Sequence, residues 1–472
     1  MRRLALVVGF VAVMLAGPAG ARDIDWAAVQ QEATRLLSAY VRINTTNPPG
    51  NELAAARFLA ARFQQAGIET QVFESAAGRG AVLARVKGTD AGRPVVLLNH
   101  LDVVPANPEG WDVPPFAGVV RDGYVYGRGA LDCKGVGTVD AMTLLLLKRQ
   151  GVALHRDVIF LGTADEEAGG QMGAGWMAAQ HLDAVRNAEF VLNEGGHILV
   201  LPSGDRVYEV AVSEKTPCWL RLTATGAAGH GSAPPPDTSV TRLLRALDRL
   251  GQYQPEVRVV PEVQAYYAAR AALQSEGLRA SYADLRAALA EPGFRTEFLS
   301  APHNAALVRN TLTPTVLRAG DKTNVIPRSA TAELDCRLLP DEDPDRFLRT
   351  IKDTIADPEV TVEVLLNFPP SSSPTDTALF KAIRGLADRD GAPVVPSVLT
   401  GFTDSHYFRA HDIVSYGFTP FALSEDETNR EHGTNERLST ENLREGTRRL
   451  VDLLRSLDDT SPDGRPAGRP DR

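Results

Sequence analysis

Val95-Val96-Leu97-Leu98-Asn99-His100-Leu101-Asp102-Val103-Val104-Pro105 is the stretch that decides the fold. A run of β-branched and aliphatic residues closed by a proline reads as an inner strand of a parallel sheet, covered on both faces. Open α/β sheets collect ligands beyond the carboxyl ends of their strands, which is where His100 and Asp102 fall. Two residues apart, they share one side of the extended chain, so Asp102 is placed to receive the second ring N–H of a metal-bound His100. A polar strand end hydrogen-bonded to a neighbouring loop would look the same at this dipeptide, and only other motifs can separate the two.

Outward from that strand, strand patterns at 95–99, 158–163 and 190–193 alternate with helical patterns at 134–150 and 174–181. Such alternation argues for a parallel sheet with helices on both faces. Upstream, 26–42 and 52–66 carry apolar residues at helical spacing, separated by Asn47-Pro48-Pro49-Gly50, and 70–74 and 81–87 read as strands. The character changes around 196–205. Strand-like stretches at 206–213 and 218–224, an amphipathic helix at 239–250, strands at 315–317 and 330–338, a helix at 344–355 and a strand at 360–365 follow. They suggest a small α+β unit of antiparallel strands and two helices. An Ala-rich helical segment from Val263 to Leu289 interrupts it; its Ala, Leu, Tyr266 and Tyr267 are compatible with lining an apolar pocket, and it reads more readily as a helical hairpin packed on that unit. Beyond the Pro- and Ser-rich 368–374, α/β alternation resumes through a helix at 376–389, strands at 394–398 and 413–417 and a helix at 441–457. The expected fold class is α/β: a mostly parallel sheet flanked by helices, built from 22–205 and 368–458, with an inserted α+β ferredoxin-like domain over 206–367. The helical insertion spans about 252–310 of that domain, and no internal repeat is found.

A chain of 472 residues exceeds what one hydrophobic core organises. Net charge of -9 and a pI near 5.6 leave no basic footprint, which argues against nucleic acid as a partner. Arg2-Arg3 ahead of the apolar run Leu4–Leu15, with Ala19-Gly20-Ala21 after it, reads as a signal peptide over 1–21 and implies a periplasmic or secreted protein. No later segment is long and apolar enough to span a membrane. The tail over 459–472, rich in Pro, Gly, Asp and Arg, is expected to be disordered. Three cysteines, Cys133, Cys218 and Cys336, imply no disulfide framework, although Cys218 and Cys336 fall on strands of one domain and are candidates to pair.

Polar residues recur at the carboxyl ends of successive strands. Gly127-Arg128-Gly129-Ala130-Leu131-Asp132-Cys133-Lys134-Gly135 is a glycine-rich loop entering a helix, without the Walker or dinucleotide spacing. Taken alone, Asp132 reads as an N-cap. Thr163-Ala164-Asp165-Glu166-Glu167 follows a very apolar strand, and two adjacent desolvated glutamates call for positive charge to hold them. A metal meets that need, with one carboxylate as ligand and its neighbour as general base. Asn193-Glu194-Gly195-Gly196 and Arg430-Glu431-His432-Gly433-Thr434-Asn435-Glu436 complete the set. Two histidines with three or four carboxylates can form a pair of metal sites that share a bridging aspartate.

Together, His100-Leu101-Asp102, Gly129-Ala130-Leu131-Asp132, Asp165-Glu166-Glu167, Asn193-Glu194-Gly195 and His432-Gly433-Thr434-Asn435-Glu436 resemble the M20 family of dinuclear zinc metallopeptidases and amidohydrolases. The likeness runs from Trp26 to Leu457. The 400–407 stretch and the long lid insertion most resemble the Gly-Xaa carboxypeptidase branch, which includes N-acyl amino acid hydrolases. The resemblance implies a zinc exopeptidase-like catalytic domain with a lid and two Zn2+, with Co2+ or Mn2+ as alternatives. It makes Asp132 the bridging ligand, with Glu167 and His432 completing one site and His100 and Glu194 the other. Glu166 would be the general base and Asp102 would orient His100. In the lid, His230 of Gly229-His230-Gly231-Ser232-Ala233-Pro234 would stabilise the oxyanion, from the same chain or from a partner subunit. Asn324 and Arg337 would hold the substrate carbonyl and carboxylate, and Thr403 and Asp404 match a motif near the pocket. Arg337 also reads, with less weight, as one half of a strand-end salt bridge, whereas its planar fork suits a carboxylate.

Three functions are compatible with these residues. The first is a carboxypeptidase or dipeptidase for short peptides. The second is an aminoacylase-type hydrolase of N-acyl amino acids. The third is a metal-dependent binding protein without catalysis, against which the intact Glu166 and ligand set count. The sequence does not set the oligomeric state.

Overall fold

The computed structural model describes residues 23–89, 92–152 and 154–458. The leader expected over 1–21 and the tail expected over 459–472 lie outside the described residues. Gly92–His100 runs through the middle of a ten-stranded sheet. It pairs in parallel with Arg156–Thr163 on one side and Phe190–Asn193 on the other, and Phe190–Asn193 pairs in parallel with Val414–Gly417. Antiparallel strands extend this centre, Arg79–Val86 and Glu69–Ala76 at one end and Arg206–Glu214 and Ile198–Val200 at the other.

Side-chain alternation explains the unbroken apolar run at 95–98. Val95 and Leu97 join the core on one face, with Leu37, Leu59, Leu144 and Leu450 from helices Trp26–Val41, Glu52–Gln65, Lys134–Gln150 and Thr440–Asp458. Val96 and Leu98 join a second core on the other face, with Met177 and Phe408 from helices Ala174–Gln180 and Ser405–Arg409. A strand covered on both faces needs an apolar residue at every position.

A second sheet holds four antiparallel strands in the order Thr311–Arg318, Ser329–Leu338, Thr216–Thr225, Val360–Asn367. Helices Ser239–Gln252 and Pro344–Ile355 cover one face. Leu243, Ala246 and Leu250 on one helix and Phe347, Ile351 and Ile355 on the other recur every three or four residues and pack on Leu220, Leu222, Ala332 and Leu334. Thr238 caps the first helix by accepting the Thr241 N–H, and Pro344 starts the second behind the Asp343 cap. This β-α-β-β-α-β order is the expected ferredoxin-like lid.

Two placements differ from the sequence reading. Arg206–Glu214 belongs to the large sheet, where it pairs with Ile198–Val200 and Val394–Leu399, so the lid strands begin at Thr216. The helical insertion packs mainly on the large sheet, where Val263, Tyr266, Tyr267 and Phe298 meet Val207, Val395 and Val398; it touches the lid through Leu339 in the same core and through Arg258, which pairs with Asp341 and Glu342. Strand and helix patterns report which face is buried without naming what covers it. Cys133, Cys218 and Cys336 are buried free thiols. The register through Pro217↔Arg337 and Leu220↔Leu334 sets Cys218 across from Cys336 in the lid core. Among the described residues no helix is long and apolar enough to cross a membrane.

The lid joins the large sheet through Glu214-Lys215-Thr216 and Asn367-Phe368. Lys215 is buried, and its Nζ donates to the carbonyls of Ala306 and Arg309 at 2.8 Å each. Phe368 stacks on His406 with ring centres 3.6 Å apart, and the His406 Nδ1–H donates to Thr403 O at 2.8 Å. Burial lowers the His406 imidazole to about 4, against an ordinary value of about 6.5. A base depressed on folding contributes stability that is complete above about pH 6.5 and is lost as pH falls toward 4. His406→Phe keeps the stack on Phe368. It should shrink the loss of unfolding free energy between pH 6.5 and 4.5 by roughly 2 kcal/mol, measured by urea denaturation at both pH values. An unchanged acid slope would show that His406 is not held neutral.

Candidate active site

The candidate residues stand just past the ends of strands or at the start of a helix. His100 ends Gly92–His100, and Asp132 precedes helix Lys134–Gln150. Glu166 and Glu167 form a short turn after Arg156–Thr163, Glu194 follows Phe190–Asn193, and His432 precedes Arg437–Ser439. Parallel pairing brings the first, third and fourth of these strand ends side by side.

Each oxygen of Asp132 faces a different imidazole. His100 Nε2 lies 2.7 Å from Asp132 Oδ1 and 3.3 Å from Glu194 Oε2. His432 Nε2 lies 2.9 Å from Asp132 Oδ2 and 3.3 Å from Glu167 Oε2. A tetrahedral ion with bonds of about 2.0–2.1 Å separates its ligand atoms by roughly 3.3 Å. The 3.3 Å separation in each half matches such an ion, and the 2.7 and 2.9 Å contacts to Asp132, which are hydrogen-bond distances, would open by about 0.5 Å to admit one on either side of it. Cys133, buried behind Asp132, also brings its Sγ within reach of the His100 and Glu194 donor atoms.

The charges support the same fit. Burial, then the Glu194 carboxylate, pushes Glu166 well above the ordinary range, and burial with Asp132 raises Glu167 to about 7. Burial also raises Glu194. Burial works against the Asp132 carboxylate, but hydrogen bonds from His100 and His432 hold it well below its ordinary value. Hydrogen bonds to Asp132 and Glu167 in turn push His432 up to about 10. Carboxylates crowded at low exposure are stable together only with added positive charge.

Asp102 is fully buried, and its carboxylate accepts the N–H groups of Glu166 and Glu167 at 3.2 Å each and the Asn47 amide at 2.8 Å. His100 Nδ1 lies 3.0 Å from the main-chain oxygen of Asp102 and 3.5 Å from its carboxylate. The main-chain carbonyl therefore orients His100 most closely, while the carboxylate holds the Glu166-Glu167 turn.

A cavity of about 500 Å3 contains Asp132, Glu166, Glu167, Glu194 and His432 and reaches Arg337 and Trp219 of the lid. Leu131, Val136, Leu399, Phe421 and Leu423 form an apolar wall in the same cavity. Arg337 donates through Nε and Nη2 to Asp335 at 2.7 and 3.1 Å and lies over the rings of Trp219 and Phe402. Its Nη1 is buried without a partner among the described residues. Thr403 lines the cavity, with its hydroxyl donated to Glu214 Oε1 at 2.7 Å. Asp404 is buried beneath and accepts the Thr163 hydroxyl at 2.8 Å. His230 and Asn324 are not brought in. They lie exposed on and beside the ribbon that pairs Gly229–His230 with Val325–Ile326, and neither lines the cavity.

Sequence reasoning assigned no role to Asn47, Arg128, Glu431 or Glu436. Glu431 lines the cavity, and burial with Asp132 raises it to about 8. Glu436 stood inside a quoted motif, but its partners lie more than 300 positions away.

Peptidase family M20/M25/M40 matches residues 96–456. The chain is 34% identical over 409 residues to N-fatty-acyl-amino acid synthase/hydrolase PM20D1 of Xenopus tropicalis, covering 82% of this chain and 78% of that protein. It is 27% identical over 439 residues to aminoacylase-1 of Mus musculus, covering 91% of this chain and 96% of that protein. The solved M20 family metallo-carboxypeptidase Sso-CP2 from Sulfolobus solfataricus shares the fold, with TM-score 0.71 at 18% identity over 90% of this chain and 99% of that one. With the strand-end motifs in family order and their donor atoms converging on one cavity, the chain belongs to peptidase family M20/M25/M40 and is a metal-dependent peptidase or amidohydrolase.

Proposed function

We propose that this protein is an exported dinuclear zinc amidohydrolase that cleaves the amide bond next to a free carboxylate, with N-acyl amino acids bearing an apolar acyl group as its substrate class. The observation that carries this reading is a single cavity that joins the carboxylate-imidazole cluster, a guanidinium with one free amino group and an apolar wall. The PM20D1 and aminoacylase-1 relatives support it by name.

Asp132, His100 and Glu194 would hold one ion, and Asp132, Glu167 and His432 the other. Bound there, the pair would supply Lewis-acid polarisation of the scissile carbonyl and a more acidic water. Glu166 would take the proton of the attacking water and pass it to the leaving amine. Asp102 holds the Glu166 turn by its backbone, so the base cannot drift from the cluster. Arg337 Nη1 is available to the substrate carboxylate while Asp335 fixes the rest of the guanidinium. His230 and Asn324 would reach the carbonyl through lid closure or from a partner subunit's lid.

Glu431 favours a second reading, hydrolysis of short peptides as by a carboxypeptidase or dipeptidase. A carboxylate with no ion pair among the described residues on the cavity wall suits a free substrate ammonium.

Elemental analysis should return about two zinc per chain, with cobalt or manganese as substitutes. The purified protein should hydrolyse a long-chain N-acyl amino acid in preference to a dipeptide. Preference for the dipeptide would select the second reading, and absence of bound metal would overturn both. Glu166→Gln should lower kcat by at least about 1000-fold with metal content unchanged, whereas Glu167→Ala should lose metal. Full turnover by Glu166→Gln would remove it as the base. Export rests on the basic, apolar and small-residue pattern of 1–21. Amino-terminal sequencing of protein from the periplasm or medium should begin near Arg22, and an intact cytoplasmic chain would contradict it.

A further inference from the structure

The loop that carries Asp132 and the loop that carries His432 are joined by a fully buried ion pair. A small antiparallel sheet of Val119–Arg121, Tyr124–Tyr126 and Arg437–Ser439 sets Arg437 opposite Tyr126, which delivers Glu436 to the glycine-rich loop. Gly127 N–H donates to Glu436 O at 2.9 Å. The Glu436 carboxylate is 0% exposed and has four donors. One oxygen accepts the N–H groups of Leu131 and Asp132 at 2.8 and 3.2 Å. The other accepts the Gly129 N–H at 3.1 Å and Arg128 Nη1 at 2.5 Å. The second amino group of Arg128 donates to the carbonyl of His432 at 3.0 Å, and its guanidinium lies over the Trp111 ring.

These contacts close a circuit that runs from the Asp132 backbone through Glu436 and Arg128 to the His432 backbone. Neither Glu436 nor Arg128 is among the residues that line the cavity, so neither touches substrate. The circuit ends on the two residues whose side chains meet at 2.9 Å. His432 holds a left-handed backbone, with φ of 59°, an uncommon conformation that its carbonyl's bond to Arg128 helps to keep. Arg128 meets its two acceptors with separate amino groups held apart by the planar guanidinium, whereas an ammonium carries all its donors on one atom and cannot stand at both positions.

We propose that Glu436 and Arg128 are positioning residues that set the distance between Asp132 and His432, and through it the geometry of the ion site those residues share with Glu167. The inference rests on the dinuclear reading above. It assigns the pair a task other than holding the fold, because its contacts converge on ligand-bearing backbone.

The test compares wild type, Glu436→Gln and Arg128→Lys, each stripped of metal and titrated with zinc against a chromophoric chelator. Melting of the metal-free forms and kcat and KM of the loaded forms are measured alongside. Arg128→Lys keeps the charge and the Glu436 contact but gives up the His432 carbonyl. It should weaken the second zinc by about 10–100-fold and leave the first within about threefold. kcat should fall with KM held within about twofold, and the metal-free melting temperature should stay near that of wild type. Glu436→Gln should weaken the same zinc at least as much. If Glu436→Gln does not fold, Arg128→Lys decides alone. Wild-type zinc affinities in Arg128→Lys, or equal weakening of both zincs that tracks a lower melting temperature, would overturn the positioning role. A wild-type protein that binds no zinc would instead overturn the dinuclear reading itself, and this inference with it.

Discussion

Like-charge crowding is the constraint on which the rest of this structure depends. Glu166, Glu167, Glu194 and Asp132 share one cavity with the His432 imidazole, while the buried His100 imidazole meets Asp132 and Glu194; the carboxylates are raised by burial and by one another, save Asp132, which both imidazoles hold down. Around them the chain supplies hydrogen-bond donors from its own backbone. Asp102 collects two N–H groups from the Glu166-Glu167 turn, and Glu436 collects three from the glycine-rich loop. Carboxylates outside the cluster therefore fix the loops that carry carboxylates inside it. The arrangement is prepared for cations rather than for its own isolated stability.

The sheet centre and the ligand cluster were legible because both are written in short-range pattern. The unbroken run at 95–98 requires cover on both faces, and two distinct cores provide it. His100, Asp132, Glu167, Glu194 and His432 were legible as motifs; parallel strand order sets His100, Glu167 and Glu194 side by side, and the loops before Lys134–Gln150 and Arg437–Ser439 bring Asp132 and His432 to them. What escaped is what pattern does not encode. Arg206–Glu214 alternates like a lid strand but finds its partners in the large sheet. The amphipathic insertion shows an apolar face without naming Val207, Val395 and Val398 as its cover. Glu436 sits in a recognised motif, yet its role is defined by Arg128, 308 positions away. His230, expected to act from a closed lid or a partner subunit, stands in this arrangement on an exposed ribbon outside the cavity.

The lid reaches the cluster through an aromatic and cationic array rather than through that ribbon. Trp219 donates its indole N–H to Asp335, which in turn grips Arg337, and Phe402 from the large domain lies under the same guanidinium. Phe402 and His406 both meet Phe368 at the return into the large sheet. The Arg337 array and the domain junction are thus built from touching side chains. A change in the angle of the lid moves the guanidinium relative to the metal-type ligands.

The insertion between the first lid helix and the strand Thr311–Arg318 buries its tyrosines and phenylalanines on the large sheet. The chain therefore crosses between the two units four times, near 215, 253, 310 and 367, and not only at the two ends of the lid. The insertion covers Val395 and Val398 of the large sheet and, through Leu339 and the pairs of Arg258 with Asp341 and Glu342, holds the lid as well. Units with separate cores melt independently, whereas units that share buried surface melt together. The two parts of this protein are bound into one cooperative unfolding unit, with the insertion as the rivet.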